Sequence, residues 1–231
     1  GEDLKMPEPV SEAAKHLSQG AIVAVKGLGG FHLAVDASQN EAVKRLRLRK
    51  GREEKPLALM SSSLEQIQRY ALVGDEERRL LTCSQRPIVI VQKRPENTIA
   101  PEVAPRNRSF GVMLPYTPLH HLLLAHPFLA LVMTSGNISE EPIAIDNLES
   151  VERLGEIADY FLFHDRDILL RSDDSILRAA GGRPRQLRRS RGYVPVPIFL
   201  RKPVAEVLAL GGELKGTICL TKKNRAFVGQ H

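Results

Sequence analysis

The stretch Leu46-Arg-Leu-Arg-Lys-Gly-Arg-Glu-Glu-Lys-Pro56 decides how the rest of this chain is read. Upstream of it, Ser38 and Glu41 stand at capping-box spacing, and Ala42, Val43 and Leu46 form one apolar stripe. The pattern predicts a helix over 38–50 that stops at Gly51. Lys50, Arg52 and Lys55 then cluster where the backbone turns. Such a cluster has two readings. It is either a solvated run that complements the negative end of the helix dipole, or a grip for a polyanion, with lysine as point charge and Arg52 as a planar fork for phosphate oxygens.

Working outward, Val10, Ala13, Ala14 and Leu17 predict a helix that ends at Gly20 and leads into a buried strand over 21–25. Lys26-Gly-Leu-Gly-Gly-Phe-His32 sets three glycines before a second strand, which serves either a bend or close backbone approach to a ligand. His32 is correspondingly a core residue or a site residue. Downstream, the pattern gives a strand at 57–60, short helices at 64–71 and 75–81, and a strand at 88–91. The proline-interrupted segment 94–107 reads as a long surface loop or mobile flap, and 110–114 returns to strand. Thr117 caps a helix that Pro118 opens, and the adjacent His120 and His121 lack the spacing of a shared metal site.

The most apolar strand, 128–133, ends in Thr134-Ser-Gly-Asn137, small polar residues at a strand's carboxyl end, where open α/β sheets gather ligands. An ordinary turn is the alternative. A helix over 147–158 and a strand over 160–163 follow, then a strand toward Arg178. The turn at Gly181-Gly182 leads to a second basic cluster, Arg188, Arg189, Ser190 and Arg191. The proline-rich 193–203 reads as a linker, and 207–228 as a strand followed by a hairpin.

The chain of 231 residues is 42% hydrophobic and 26% charged, within the range of ordinary globular proteins. A formal charge of +6 with interspersed acids favours an anionic partner, which a nucleotide satisfies as well as a nucleic acid. Cys83 and Cys219 are the only cysteines and lack paired spacing, which argues against a disulfide framework or a zinc site and for a reducing, cytoplasmic setting. No apolar run has the length of a membrane span, no signal peptide opens the chain, and the initial Gly1 suggests an excised segment.

Three elements agree in order: the glycine loop leading to Val-Asp-Ala, Lys50-Gly-Arg52 with Lys-Pro beyond, and Ser135-Gly-Asn137 after a buried strand. This arrangement resembles the YrdC-like family, whose KxR and SxN motifs these triplets match, from about Val10 to about Pro197. Gly29-Gly-Phe-His-Leu-Ala, Leu114-Pro-Tyr-Thr-Pro-Leu-His-His and Arg189-Ser-Arg-Gly-Tyr-Val-Pro are similar to the version in the HypF-type carbamoyltransferases of [NiFe]-hydrogenase maturation. Leu208-Ala-Leu-Gly-Gly-Glu-Leu-Lys and Ala226-Phe-Val-Gly-Gln-His resemble the opening strands of the ASKHA-type transfer domain that follows there. The expected division is therefore a YrdC-like domain over 1–198, then a linker and a truncated second domain over 199–231.

The resemblance implies a twisted mixed α/β sheet with helices packed on it and a concave basic face that binds ATP and, with Mg2+, adenylates carbamate derived from carbamoyl phosphate. Pyrophosphate leaves, and the carbamoyl group goes later to the partner HypE. Lys50 and Arg52 would be the catalytic cations. They would bind ATP phosphates together with Lys55, Thr134, Ser135, Asn137, Arg188, Arg189 and Ser190, with no protein metal ligand. Lys26 and His32 would meet the carbamate. Relatives that make threonylcarbamoyl-AMP for tRNA modification carry Thr and Tyr-Gly where this chain has Gly29 and Phe31-His32, which argues for a smaller pocket. Two alternatives remain: that threonine-using synthase, and a basic double-stranded-RNA module, for which a 5% aromatic content offers little stacking.

Overall fold

The central strands are buried along nearly their whole length, because successive side chains point to opposite faces of the sheet and both faces are covered. The computed structural model describes residues 8–138, 141–212 and 216–230. In chain order the elements are α1 (Pro9–Ser18), β1 (Val23–Lys26), β2 (Phe31–Asp36), α2 (Asn40–Lys50), β3 (Ala58–Met60), α3 (Leu64–Gln68), β4 (Ala71–Leu72), α4 (Asp75–Thr82), β5 (Ile88–Lys93), β6 (Ser109–Met113), α5 (Pro118–Leu123), β7 (Leu131–Ser135), α6 (Asn147–Leu154), β8 (Tyr160–Leu162), β9 (Ile176–Ala180) and β10 (Arg183–Arg188). Strand order is β10-β9-β5-β6-β3-β7-β2-β1-β8, with β4 added on β5. The sheet is mixed: β1/β8, β3/β6 and β5/β9 run parallel and the remaining pairs antiparallel.

One face carries Ala24, Leu33, Val35, Val89 and Val132 against Val43 and Leu46 of α2, Leu80 and Leu81 of α4, and Leu154 of α6. The other carries Val23, Val25, Ala34, Leu131 and Met133 against Ala13, Ala14 and Leu17 of α1 and Leu123 of α5. Each fully buried leucine contributes about 1.5–3 kcal/mol by leaving water. On this second face α1 lies over β1, β2 and β8. The cavity described below opens over the half built from β3, β6, β5 and β9.

Several expectations change. Ser38 does not cap α2, because its hydroxyl and N–H both donate to Asp36 Oδ1, at 2.7 and 2.9 Å, and the helix begins two residues later after Gln39. The segment 94–107 is no surface flap. Ile99, Ala100, Val103 and Ala104 are buried, a 3-10 turn forms at Pro101–Val103, and Leu57 N–H donates to Val103 O at 2.9 Å. The strand expected over 128–133 starts at Leu131 and runs on through Ser135, paired with β2. α6 stops at Leu154, ahead of Gly155. α3 stops at Gln68, and Ala71, expected to end that helix, instead begins β4, whose two residues are too few to show a period.

A second sheet has the order β11-β14-β13-β12, formed by β11 (Ile198–Phe199), β12 (Leu208–Leu210), β13 (Ile218–Lys222) and β14 (Arg225–Val228). The segment read as a linker thus supplies a strand. Among the described residues no helix is long and apolar enough to cross a membrane.

Candidate anion-binding site

α2 ends as its glycine requires. Gly51 adopts φ 62°, and the Gly51 and Arg52 amides donate to Leu48 O and Arg47 O, closing the helix while the chain turns. Lys50, in the last turn, is 2% exposed and runs to the end of β7. Its ammonium donates to Ser135 O at 2.7 Å, to Asn137 Oδ1 at 2.8 Å and to Asn137 O. Ser135 Oγ donates to the same Oδ1 at 2.7 Å, and Asn137 Nδ2 to Glu141 O. The two motif turns are therefore bonded to each other through Lys50. Gly136 makes the turn possible: a Cβ there would lie 2.7 Å from Phe31 Cβ and 2.8 Å from Phe31 O.

Arg52 points the other way. Its fork donates to Pro56 O at 2.8 Å, and at 3.3 Å to both Lys55 O and Thr134 Oγ1. Among the described residues no carboxylate forms an ion pair with it. Burial pushes its pKa down to about 10, helped by repulsion from Arg47 and Arg188. A partly buried guanidinium facing two further cations is a place where an anion gains energy.

A cavity of about 800 Å³ opens there. Arg52, Lys55, Thr134, Ser135, Asn137 and Arg188 line its polar end, with Lys50 and His32 also in its wall. Ala58, Gly111, Ile88, Ile90 and Ile176 form an apolar floor across β3, β6, β5 and β9. Strand pairing puts these floor residues in rows, with Ala58 opposite Gly111, Gly111 opposite Ile90, and Ile88 opposite Ile176. Arg188 Nη1 lies 3.6 Å from Asp173 Oδ1.

Three residues expected at the site lie outside this lining. Lys26 is 3% exposed and donates to His164 O, because β1 directs it past the sheet edge toward the β8 loop. Arg189 donates to Val228 O, Tyr193 O and Val196 O, joining the first sheet to the second. Ser190 is fully buried, with its hydroxyl 3.3 Å from Ser172 Oγ and its amide donating to Ser175 Oγ. The early glycines divide: Gly30 lines the cavity, and Gly29 does not. A Cβ on Gly29 would meet Ser172 O at 2.5 Å, so the loop is packed by the chain itself.

His32 belongs to a buried polar group that sequence reading missed. Its Nε2 is 3.3 Å from Asp174 Oδ2, and Arg191 Nε donates to Asp174 Oδ1 at 2.7 Å. The Arg191 guanidinium lies 3.5 Å over the Tyr116 ring. Burial opposes ionisation of Asp174, yet the His32 hydrogen bond and the Arg191 charge hold its carboxyl well below the usual range. An ionised carboxylate only accepts, so His32 carries its proton on Nε2. His120 packs edge-on against Tyr116 and His32, with ring centroids 4.5 and 5.9 Å away, and burial pushes its pKa down to about 3, reinforced by repulsion from His32. Asp174 lies in Ser-Asp-Asp-Ser, where nothing local distinguishes it from turn chemistry.

The chain is similar to known proteins along nearly its whole length. The carbamoyltransferase HypF of Synechocystis sp. is 47% identical over 97% of the chain, and HypF2 of Cupriavidus necator is 48% identical over 97%. The crystal structure of a full-length HypF in the phosphate- and nucleotide-bound form is 49% identical and superposes with a TM-score of 0.91, over 96% of this chain and 35% of that one. The chain spans about 30% of the length of the curated relatives it matches. The model of the Sua5/YciO/YrdC family, described as "Telomere recombination", matches residues 15–190, and the chain belongs to that family.

Proposed function

We propose that this chain binds ATP in the cavity between Arg52 and Arg188 and forms carbamoyl-AMP from ATP and carbamate. This would be one step of the carbamoyl transfer carried out in hydrogenase maturation by longer HypF-type proteins, with HypE as the later acceptor. The observation that carries the reading is the bonded pair of motif turns: Lys50 fixes the Ser135-Gly-Asn137 turn, so that Arg52, Thr134, Ser135 and Asn137 share one wall of the cavity.

The chemistry suits such a wall. A carbamate oxygen attacks the α-phosphorus, the new O–P bond forms as the bond to the β-phosphate oxygen breaks, and the electron pair leaves with pyrophosphate. The reaction needs no nucleophilic side chain. It needs positioning, and cations where phosphate oxygens gain charge. Arg52 and Arg188 supply the charge, and the Thr134 and Ser135 hydroxyls supply hydrogen bonds. His32 lines the cavity, and with its proton turned toward Asp174 its other ring nitrogen is an acceptor, which suits the N–H end of a carbamate. Among the described residues no group of three His, Cys, Asp or Glu side chains stands ready for a metal. Magnesium would arrive on the triphosphate, as suits an ion that keeps its waters and takes phosphate oxygens.

Exchange of labelled pyrophosphate into ATP tests this. The expected result is exchange that depends on a carbamate source and magnesium. Stimulation by threonine with bicarbonate instead would assign the chain to threonylcarbamoyl-AMP synthesis. Indifference to ATP with salt-sensitive duplex-RNA binding would make it an RNA module.

A further inference from the structure

Arg47 sits one turn before Lys50 on α2 and is 6% exposed. Among the described residues it has no ion-pair partner, and burial holds its pKa below the usual arginine value against the weaker pull of Glu102. An uncompensated buried guanidinium is costly, so it persists only where its donors are fully used. Here they are. Nε donates to Glu102 O at 2.5 Å; Nη1 donates to Arg52 O, Glu53 O and Lys55 O at 2.9, 3.2 and 3.2 Å; Nη2 donates to Lys55 O and Val103 O, both at 3.2 Å. Three of the five carbonyls belong to the turn that carries Arg52, and two to the 3-10 turn at Pro101–Val103.

The two arginines are geared through one atom. Lys55 O accepts from both Nη atoms of Arg47 and also from Arg52 Nε, whose neighbouring Nη2 is held by Pro56 O. Fixing the carbonyls of 52, 53 and 55 from behind therefore fixes the direction of the Arg52 fork in front. The same Arg47 charge repels Arg52, whose hydrogen bonds all go to uncharged oxygens.

We propose that Arg47 is the positioning residue of the anion site. Its planar fork, clamped on five carbonyls, holds Arg52 in the orientation that phosphate oxygens require. The proposal rests on the reading that Arg52 meets phosphate.

The test uses the full 231-residue chain and Arg47→Lys, which keeps the charge but cannot span five carbonyls. Calorimetry with MgATP is expected to show at least tenfold weaker binding. Pyrophosphate exchange should show KM for ATP rising by a similar factor while kcat changes less. Amide hydrogen exchange should accelerate at Arg52 and Leu57, whose N–H groups donate to Arg47 O and Val103 O, but not in β7. A merely structural arginine would lower the melting temperature and leave KM unchanged well below it. Wild-type affinity and wild-type protection in R47K overturn the proposal. Should R47K fail to fold, Arg47→Gln, which keeps two donors and no charge, is read by the same criteria. If the wild-type chain itself binds no ATP, the function reading fails, whereas the clamp stands or falls on the amide exchange alone.

Discussion

Lys50→Met separates what the two motif cations do. The methionine keeps the apolar stem and removes the ammonium, leaving Ser135 O, Asn137 O and Asn137 Oδ1 without their shared donor. Asn137 Oδ1 keeps the Ser135 hydroxyl and Ser135 O keeps the Asn137 N–H, so one acceptor, Asn137 O, loses its partner outright, at a cost of about 1–3 kcal/mol. For a chain of this size that is a fall of about 2–12 °C in melting temperature. Arg52→Met should behave differently. Its one short bond is to Pro56 O, water can replace the other two, and its charge is repelled by Arg47 and Arg188, so the melting temperature should move by less than about 2 °C. Its MgATP affinity should nevertheless drop at least tenfold, about 1.4 kcal/mol. Differential scanning calorimetry and titration calorimetry on both variants check this. If K50M melts like the wild type, or R52M loses as much stability as K50M, the division of labour between the two cations is wrong.

Between about pH 6.5 and its folded value of about 3, His120 binds a proton in the unfolded chain but not in the folded one, so its contribution to stability is complete above pH 6.5 and is lost as pH falls. Urea titrations at pH 7, 5.5 and 4.5 should show that slope, at most about 1.4 kcal/mol per pH unit, and His120→Phe should flatten it. Asp174, held below the usual carboxylate range, contributes stability present above about pH 4 and lost below it, so Asp174→Asn should cost least in acid, as read by the same titrations. Gly136→Ala places a methyl against Phe31 and should cost about 1–3 kcal/mol by thermal melt while weakening MgATP binding. Leu46→Ala opens the core between α2 and the sheet and should cost about 2–5 kcal/mol by denaturant unfolding.

Much of this fold was legible because its signals are local. The α2 stripe of Ala42, Val43 and Leu46, the Gly51 stop and the Thr117 cap before Pro118 each act within a turn or two of chain. The two motif turns also met in one cavity, and Lys50 bonds them together. What escaped depends on partners remote in sequence. Asp174 meets His32 across 142 residues, and nothing local singles out Arg47, round which the carbonyls of Glu102 and Val103, 55 and 56 residues on, close. The cluster at 188–191 was read as one unit, but a bulge between Gln186 and Arg188 and the exit from β10 turn its members in different directions. Arg188 reaches the cavity, Arg189 the second sheet, and Arg191 the Asp174 carboxylate.

The short strand β11 has a practical bearing on dissection of the chain. Ile198 and Phe199 are zipped to Ala226 and Arg225, and Arg189 grips Val228 O. A protease cut anywhere between 200 and 207 would sever the backbone without freeing the last strands, which would stay attached to the larger piece as a nicked but undivided molecule.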